Sequence, residues 1–226
     1  RCQNSMGCGF RAQALASPTM STRGPYAKGI ERRRDILDAA LRVIAAEGYA
    51  GATVAAIADA VQMSPNGLLH YFASKDELLV AALRRRDELD SGGVDEHSLA
   101  ASLDDHDPTL DELAEPLLTV VRRNAEIAGL VRLFAHLATE GVDDSHAAHD
   151  FFAERYARLR RMLATAVARL QRSGSVRADV EPGQAAALVL AAIDGLQTQW
   201  LYDDSVDMPA HLSALLRLLS TPEERP

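Results

Sequence analysis

Residues 53–77 read TVAAIADAVQMSPNGLLHYFASKDE, and their pattern decides the fold. Thr53 stands as an N-cap before Val54, Ile57, Ala58 and Val61, whose spacing of three and four predicts a short helix with one apolar face. Gln62 and Met63 break that segment. Ser64 caps a second helix with Pro65 in its first turn, where a missing N–H costs nothing. Leu68 and Phe72 are four apart and face inward, which leaves Asn66, Gly67, Leu69 and His70 on other faces. Ser74-Lys75-Asp76-Glu77 has the form of a capping box, so the next helix starts abruptly. A helix of about two turns, held at an angle against another and showing a small polar face, suits the DNA major groove. The stretch predicts a helix-turn-helix.

Working outward, 226 residues suffice for one large domain or two small ones with real cores. A hydrophobic content of 47% with few aromatics and abundant Ala and Leu predicts an all-α protein, helices packed on helices. Asn66-Gly67 has the letters of a hairpin turn but lies within a helical period, so it is rejected as one. No apolar run approaches the roughly 18 residues a membrane span needs. Cys2 and Cys8 both lie in the N-terminal tail, which fits a reducing cytoplasm and excludes a disulfide framework.

The net charge of −8 conceals an asymmetry. Residues 21–86 hold ten Lys/Arg against seven Asp/Glu, whereas residues 87–226 hold twelve against twenty-five. A basic end on an acidic body is compatible with nucleic-acid binding at that end alone.

Along the chain, residues 1–20 show no helical period and are expected to contribute nothing to function, with Met20 a plausible natural start. Residues 21–30 form an expected basic arm carrying Arg23 and Lys28, suited to a phosphate backbone or a minor groove. Residues 31–47 predict the first long helix, stopped by Gly48. Arg32, Arg33 and Arg34 crowd its first turn, the unfavourable end for the helix dipole, so phosphate contact is the preferred reading. A helix follows over 75–89. Ser91-Gly92-Gly93 and an acidic stretch to Asp107 then mark a boundary. Three units result: a tail and arm over 1–29, a DNA-binding domain over 30–90 and a larger helical domain over 91–226. In the last, helices are expected over 109–126 (kinked or restarted at Pro116), up to 140, over 146–172, 182–202 and 207–219.

The three-helix N-terminal unit, its ending Tyr71-Phe72-Ala73-Ser74-Lys75-Asp76-Glu77-Leu78, and the helices that follow resemble the TetR family of bacterial transcriptional repressors. The resemblance implies a homodimer on a pseudo-palindromic operator, a ligand cavity in the C-terminal domain and release of DNA by a small effector. Carried onto these residues, it implies that Thr53 meets phosphate, that Pro65, Asn66 and Gly67 approach base edges with Leu69 and His70 beyond, and that Tyr71 and Lys75 anchor the backbone; Ser64 is counted with the DNA contacts. Arg23, Lys28 and Arg33 complete the expected DNA contacts. Two positions depart from the family pattern. Gln62 stands where a turn glycine is common, and Leu69 replaces an aromatic hydroxyl.

In the C-terminal domain, Phe134, His136, Phe152, Tyr156, Asp194, Gln197 and Trp200 are candidate ligand contacts, because a mostly apolar pocket with a few oriented polar groups is expected. The effector expected is small and largely apolar or aromatic. Ala185, Leu188, Ala192 and Gly195 on one helix, with the leucine stripe Leu212, Leu215, Leu216 and Leu219 on the last, predict the dimer interface. His146 and His149, three apart, share a helical face and have metal-ligand spacing, but a polar loop and cap is the preferred reading, with no metal and no cofactor. Two rival classes are a helical enzyme and an interaction module without sequence-specific DNA binding. The first lacks a phosphate-cradling loop, a nucleophile setting and a metal-ligand repeat.

Overall fold

The computed structural model describes residues 25–91 and 109–221. Among these residues the fold is helical: α1 (Pro25–Gly51), α2 (Val54–Ala60), α3 (Pro65–Leu69), α4 (Lys75–Ser91), α5 (Leu110–Ala125), α6 (Ala128–Glu140), α7 (His149–Arg172), α8 (Pro182–Tyr202) and α9 (Met208–Leu219). The only β-type pairing described is an isolated antiparallel bridge, Val176 to Ser220, which ties the turn after α7 to the end of α9. No described helix is long and apolar enough to cross a membrane.

Local chemistry sets the boundaries in the N-terminal head. The Thr53 hydroxyl accepts the Ala56 N–H at 3.1 Å and the Ser64 hydroxyl accepts the Gly67 N–H at 3.0 Å, each satisfying a donor that a first turn would leave unpaired. At α4 the Ser74 hydroxyl accepts the Glu77 N–H, while the Glu77 carboxylate reaches back one residue further than a standard box, to the Ala73 N–H at 2.6 Å. Gln62 adopts φ 54°, so the turn is made by a side-chain-bearing residue in the left-handed region. Two expectations change here. Helix α1 begins at Pro25, so residues 25–30 are helical and not an extended arm; Gly48, at φ 71°, interrupts it where the stop was expected. Helix α5 runs through Pro116, an exposed position, without ending there.

Two cores form. The first joins Ile36, Leu37 and Ile44 of α1, Ile57 of α2, Leu68, Phe72 and Leu78–Leu83 to Leu130, Leu133 and Leu137 of α6 and Phe151 and Phe152 of α7. The second joins Ala114 and Val121 of α5 to Ala185 and Val189 of α8 and Leu212, Leu216 and Leu219 of α9. The head therefore shares a core with α6 and α7, and packing crosses the division drawn at residue 90. Gly129 makes the joint close: a β-carbon there would collide with the Ile44 carbonyl oxygen and lie 3.3 Å from Gly48 Cα. Helix α6 thus rests directly on the backbone of α1.

Candidate nucleic-acid interface and effector site

The interface is built on α2 and α3. Leu68 and Phe72 are buried, and their burial turns the rest of the motif outward: Thr53, Ser64, Pro65, Asn66, Leu69 and His70 are exposed, Gly67 and Tyr71 half-buried. Tyr71 packs against the first core, so only part of it is presented. Lys28 is exposed in the opening turns of α1. Arg23 lies outside the described residues.

Three basic side chains have internal partners that the sequence did not suggest. Arg32 Nη2 donates to the Val61 carbonyl at 2.7 Å, satisfying a carbonyl at the end of α2, so its work is to brace the motif. The Arg33 guanidinium lies 4.6 Å over the Phe72 ring, and Lys75 Nζ lies 4.9 Å over the Tyr49 ring. Both anchor the reading unit from behind through cation–π contact. Arg33 stays exposed, whereas Lys75 is half-buried and directed at the joint with the body.

In the body, four of the ligand candidates come together. Phe134 meets Phe152 edge-on with ring centres 5.2 Å apart, and Phe152 stands 6.1 Å from Tyr156. The Tyr156 hydroxyl donates to Asp194 Oδ2 at 2.7 Å. Burial pushes the Tyr156 phenol well above its usual range, with the Asp194 bond adding to it. Burial also pushes the Asp194 carboxyl up, opposed by the Tyr156 bond and the nearby Arg155 charge. Among the described residues, no cation lies within ion-pair distance of Asp194. Tyr156 and Asp194 open onto a cleft of about 290 Å3, bounded by Arg160 of α7 and Ala187, Leu190 and Ala191 of α8. Gln197 is buried on α8 one turn beyond Asp194, on the same helical face as Leu190.

His136 and Trp200 lie elsewhere. His136 stacks on Tyr49, ring centres 4.2 Å apart, in the joint between head and body, and Trp200 packs on the second core. A separate void of about 40 Å3 between α5, α7, α8 and α9 is lined wholly by apolar side chains, with nothing to orient a polar ligand. His146 and His149 serve the turn before α7: His146 Nδ1 accepts the Ala148 N–H at 3.1 Å, and His149 Nδ1 lies 3.0 Å from the Gly141 carbonyl.

The expected dimer residues divide. Ala185, Leu212, Leu216 and Leu219 are buried in this protomer's second core and are not available to a partner, and Leu215 is half-buried against it. The leucine stripe of α9 is covered by its own protomer and not by a partner, a choice that an apolar face in one sequence leaves open. Of the expected residues Leu188 is exposed, at 57%, and Ala192 is half-buried; Ala191 and Tyr202 of α8 and Leu218 of α9, the last at 72%, are exposed as well. Gly195, on the same line as Leu188 and Ala191, has nothing within 4 Å of where a β-carbon would stand. The sequence reading missed Arg155, Arg160 and Asp87 altogether; surface-like charges on long helices carry no local signal of their partners.

Comparison with known proteins agrees with this geometry. Residues 36–82 match the family model of bacterial regulatory proteins, tetR family, and residues 142–220 match that of the BetI-type transcriptional repressor, C-terminal. Over 53 residues the chain is 45% identical to the HTH-type transcriptional regulator BetI of Brucella anthropi and to that of Rhizobium meliloti. That segment is 24% of this chain and spans about a quarter of those relatives, 27% and 26% of their lengths. Among solved structures, a putative transcriptional regulator from Saccharomonospora viridis in complex with choline superposes with a TM-score of 0.65 at 27% identity, covering 86% of this chain and 100% of that one. A putative TetR-family regulator from Rhodococcus sp. gives 0.64 at 24% identity over 85% and 100%. With a helix-turn-helix head, a matching C-terminal domain and similarity of fold over 85% of its length, this chain belongs to the TetR family of bacterial transcriptional regulators.

Proposed function

We propose that this protein is a ligand-responsive transcriptional repressor of the cytoplasm, a homodimer that binds a pseudo-palindromic operator through α3 and leaves it when a small organic cation occupies the body. The observation that carries the reading is the pairing of two sites in one chain. One is an exposed polar face (Thr53, Ser64, Asn66 and His70) braced by caps and by Arg32; the other is a cleft that ends in a carboxylate with no cation within ion-pair distance among the described residues.

The chemistry of the cleft narrows the expected effector. Pockets for small molecules start at roughly 300 Å3, so about 290 Å3 suits a molecule of few heavy atoms. Tyr156 supplies a ring and Asp194 a negative charge at the cleft, with Phe152 and Phe134 packed behind Tyr156, and ring with carboxylate is the combination that recognises alkylated ammonium groups. Arg160 at the rim would meet an anionic end if the effector has one. The choline bound by the Saccharomonospora viridis neighbour is of this class. For the dimer, Gly195 is the guide: a helix glycine costs about 1 kcal/mol relative to alanine, and no described residue of its own protomer requires it, which supports close approach of a second α8.

The test is selection of operator DNA from a random pool with the full chain, followed by titration of the complex with choline. A palindromic consensus released by choline supports the reading. No enrichment at low salt removes the DNA-binding half, and an operator complex indifferent to choline and related ammonium compounds removes the effector class.

A further inference from the structure

Helix α3 turns two rows of side chains outward at one-turn spacing. Pro65 and Leu69 make one row, Asn66 and His70 the other, and all four are exposed. His70 ends the helix in α-helical backbone (φ −71°, ψ −20°), so it stands a full turn beyond Asn66. On the inner side Leu68 is buried, and a Gly67 β-carbon would lie 3.1 Å from Ser64 Oγ, so the missing side chain there serves the cap. Leu69 is 40% exposed and belongs to neither core; among the described residues of 53–77 it is the one large apolar side chain left so open. A single exposed leucine is ordinary on a protein surface. On this face it is covered whenever α3 lies in the major groove, and the edges of base pairs are what cover it.

The second observation is a chemistry that the face lacks. From Thr53 to His70 the chain has no Lys or Arg, the side chains that take guanine O6 and N7. Arg32, Arg33 and Lys75, which flank this stretch, lean on Val61, Phe72 and Tyr49. A carboxamide suits adenine, which offers N7 and the N6 amino group together, and an apolar side chain suits the 5-methyl group that thymine presents in the same groove. His70 can donate to the N7 of either purine and so does not choose between them. An amide row beside an apolar row is therefore complementary to A·T pairs. We propose that Leu69, backed by Pro65, is a specificity-determining residue that reads thymine through its 5-methyl group, and that the half-site core under α3 is A·T, with Asn66 on a neighbouring adenine. The proposal rests on the operator-binding reading above and names the bases which that reading leaves open.

The test uses the full chain and the operator it selects from random DNA, with thymines of the half-site replaced one position at a time, in both half-sites, by deoxyuridine. The exchange removes the methyl group and keeps every hydrogen-bonding group. Affinity is read by anisotropy at one fixed salt concentration. At one thymine position the parent is expected to lose about fourfold per half-site, about fifteenfold for the two together, the worth of one buried methyl group in each. Leu69→Ala is expected to bind the thymine operator about fifteenfold more weakly and to be indifferent to deoxyuridine at that position, while base changes opposite Asn66 still weaken it. Leu69→Met, apolar and of similar volume, is expected to keep the sensitivity. Both variants lie outside the cores, so their folding is not at issue. A selected core of G·C pairs overturns the proposal. So does a parent indifferent to every deoxyuridine exchange, or a sensitivity that persists unchanged in Leu69→Ala, which would place the preference in DNA shape. Failure to enrich any sequence fells the operator-binding reading and this proposal with it, whereas a consensus of the wrong kind fells this proposal alone.

Discussion

The head and the body of this protein solve opposite problems with the same element. In the head, Ile36, Ile44, Ile57, Leu68, Phe72, Leu78 and Leu79 are wholly or almost wholly buried, and the caps at Thr53, Ser64 and Ser74 leave little freedom in where each helix begins. In the body, α7 and α8 pack along each other yet leave a cleft that holds a phenol, a carboxylate and an arginine. A reading surface must present its side chains in one geometry, so rigidity serves it. A ligand site must yield between two states, and polar groups beside a void make the alternative state accessible. The two regions meet where Gly129 lies on the backbone of α1, and α6 passes through that contact without slack.

Two helix glycines test this contrast most directly. Gly129→Ala places a methyl group against the Ile44 carbonyl, which is backbone and cannot move aside, so a loss of about 3 kcal/mol is expected in urea unfolding. Gly195→Ala meets no described residue of its own protomer. If α8 pairs closely with a second copy, dimer dissociation measured by sedimentation should become easier by about 1 kcal/mol. A dimer that tightens instead would take the α8 stripe out of the interface.

Within the head, Asn66→Ala should reduce discrimination at one base pair of each half-site by about 2 kcal/mol, read as a flattened position in a repeated operator selection. Uniformly weaker binding with an unchanged consensus would move Asn66 from base to backbone contact. Gln62→Gly should be a small gain. The left-handed backbone at φ 54° penalises a side chain, and relief less the added freedom of the unfolded chain leaves about 0.5 kcal/mol in thermal unfolding.

Asp194→Asn has the subtlest signature, because it appears in the pH dependence. Burial raises the Asp194 carboxyl. A raised acid contributes its stability fully below its unfolded value, loses it as pH rises through the folded value, and leaves the charged form at a disadvantage near neutrality. The asparagine variant lacks that loss, so urea midpoints compared in acid and at neutral pH should move in its favour as pH rises, while choline-driven release disappears. A difference that is flat with pH would mean that the carboxyl pays no desolvation cost.

The helix-turn-helix was legible in the sequence because every signal that makes it is local. Thr53 with Ala56, Ser64 with Gly67 and Ser74 with Glu77 are all three residues apart, and Leu68 with Phe72 is a single helical turn. Side chains at that spacing meet whatever the rest of the chain does. The all-α class and most helix ends follow from periodicity and from Gly and Pro at their usual places, and Tyr156, Asp194, Phe134 and Phe152 stand out in the sequence as polar and aromatic groups on apolar helices. What only the tertiary structure decided are the pairings between distant residues: Arg32 with Val61, Lys75 with Tyr49, Tyr156 with Asp194 and Arg155 with Asp87, 68 positions away. The leucines of α9 show the same limit, since an apolar stripe states that it will be covered and not by what. Helical spacing places a side chain on a face; which helix or which second molecule meets that face is set by how the whole chain closes its core.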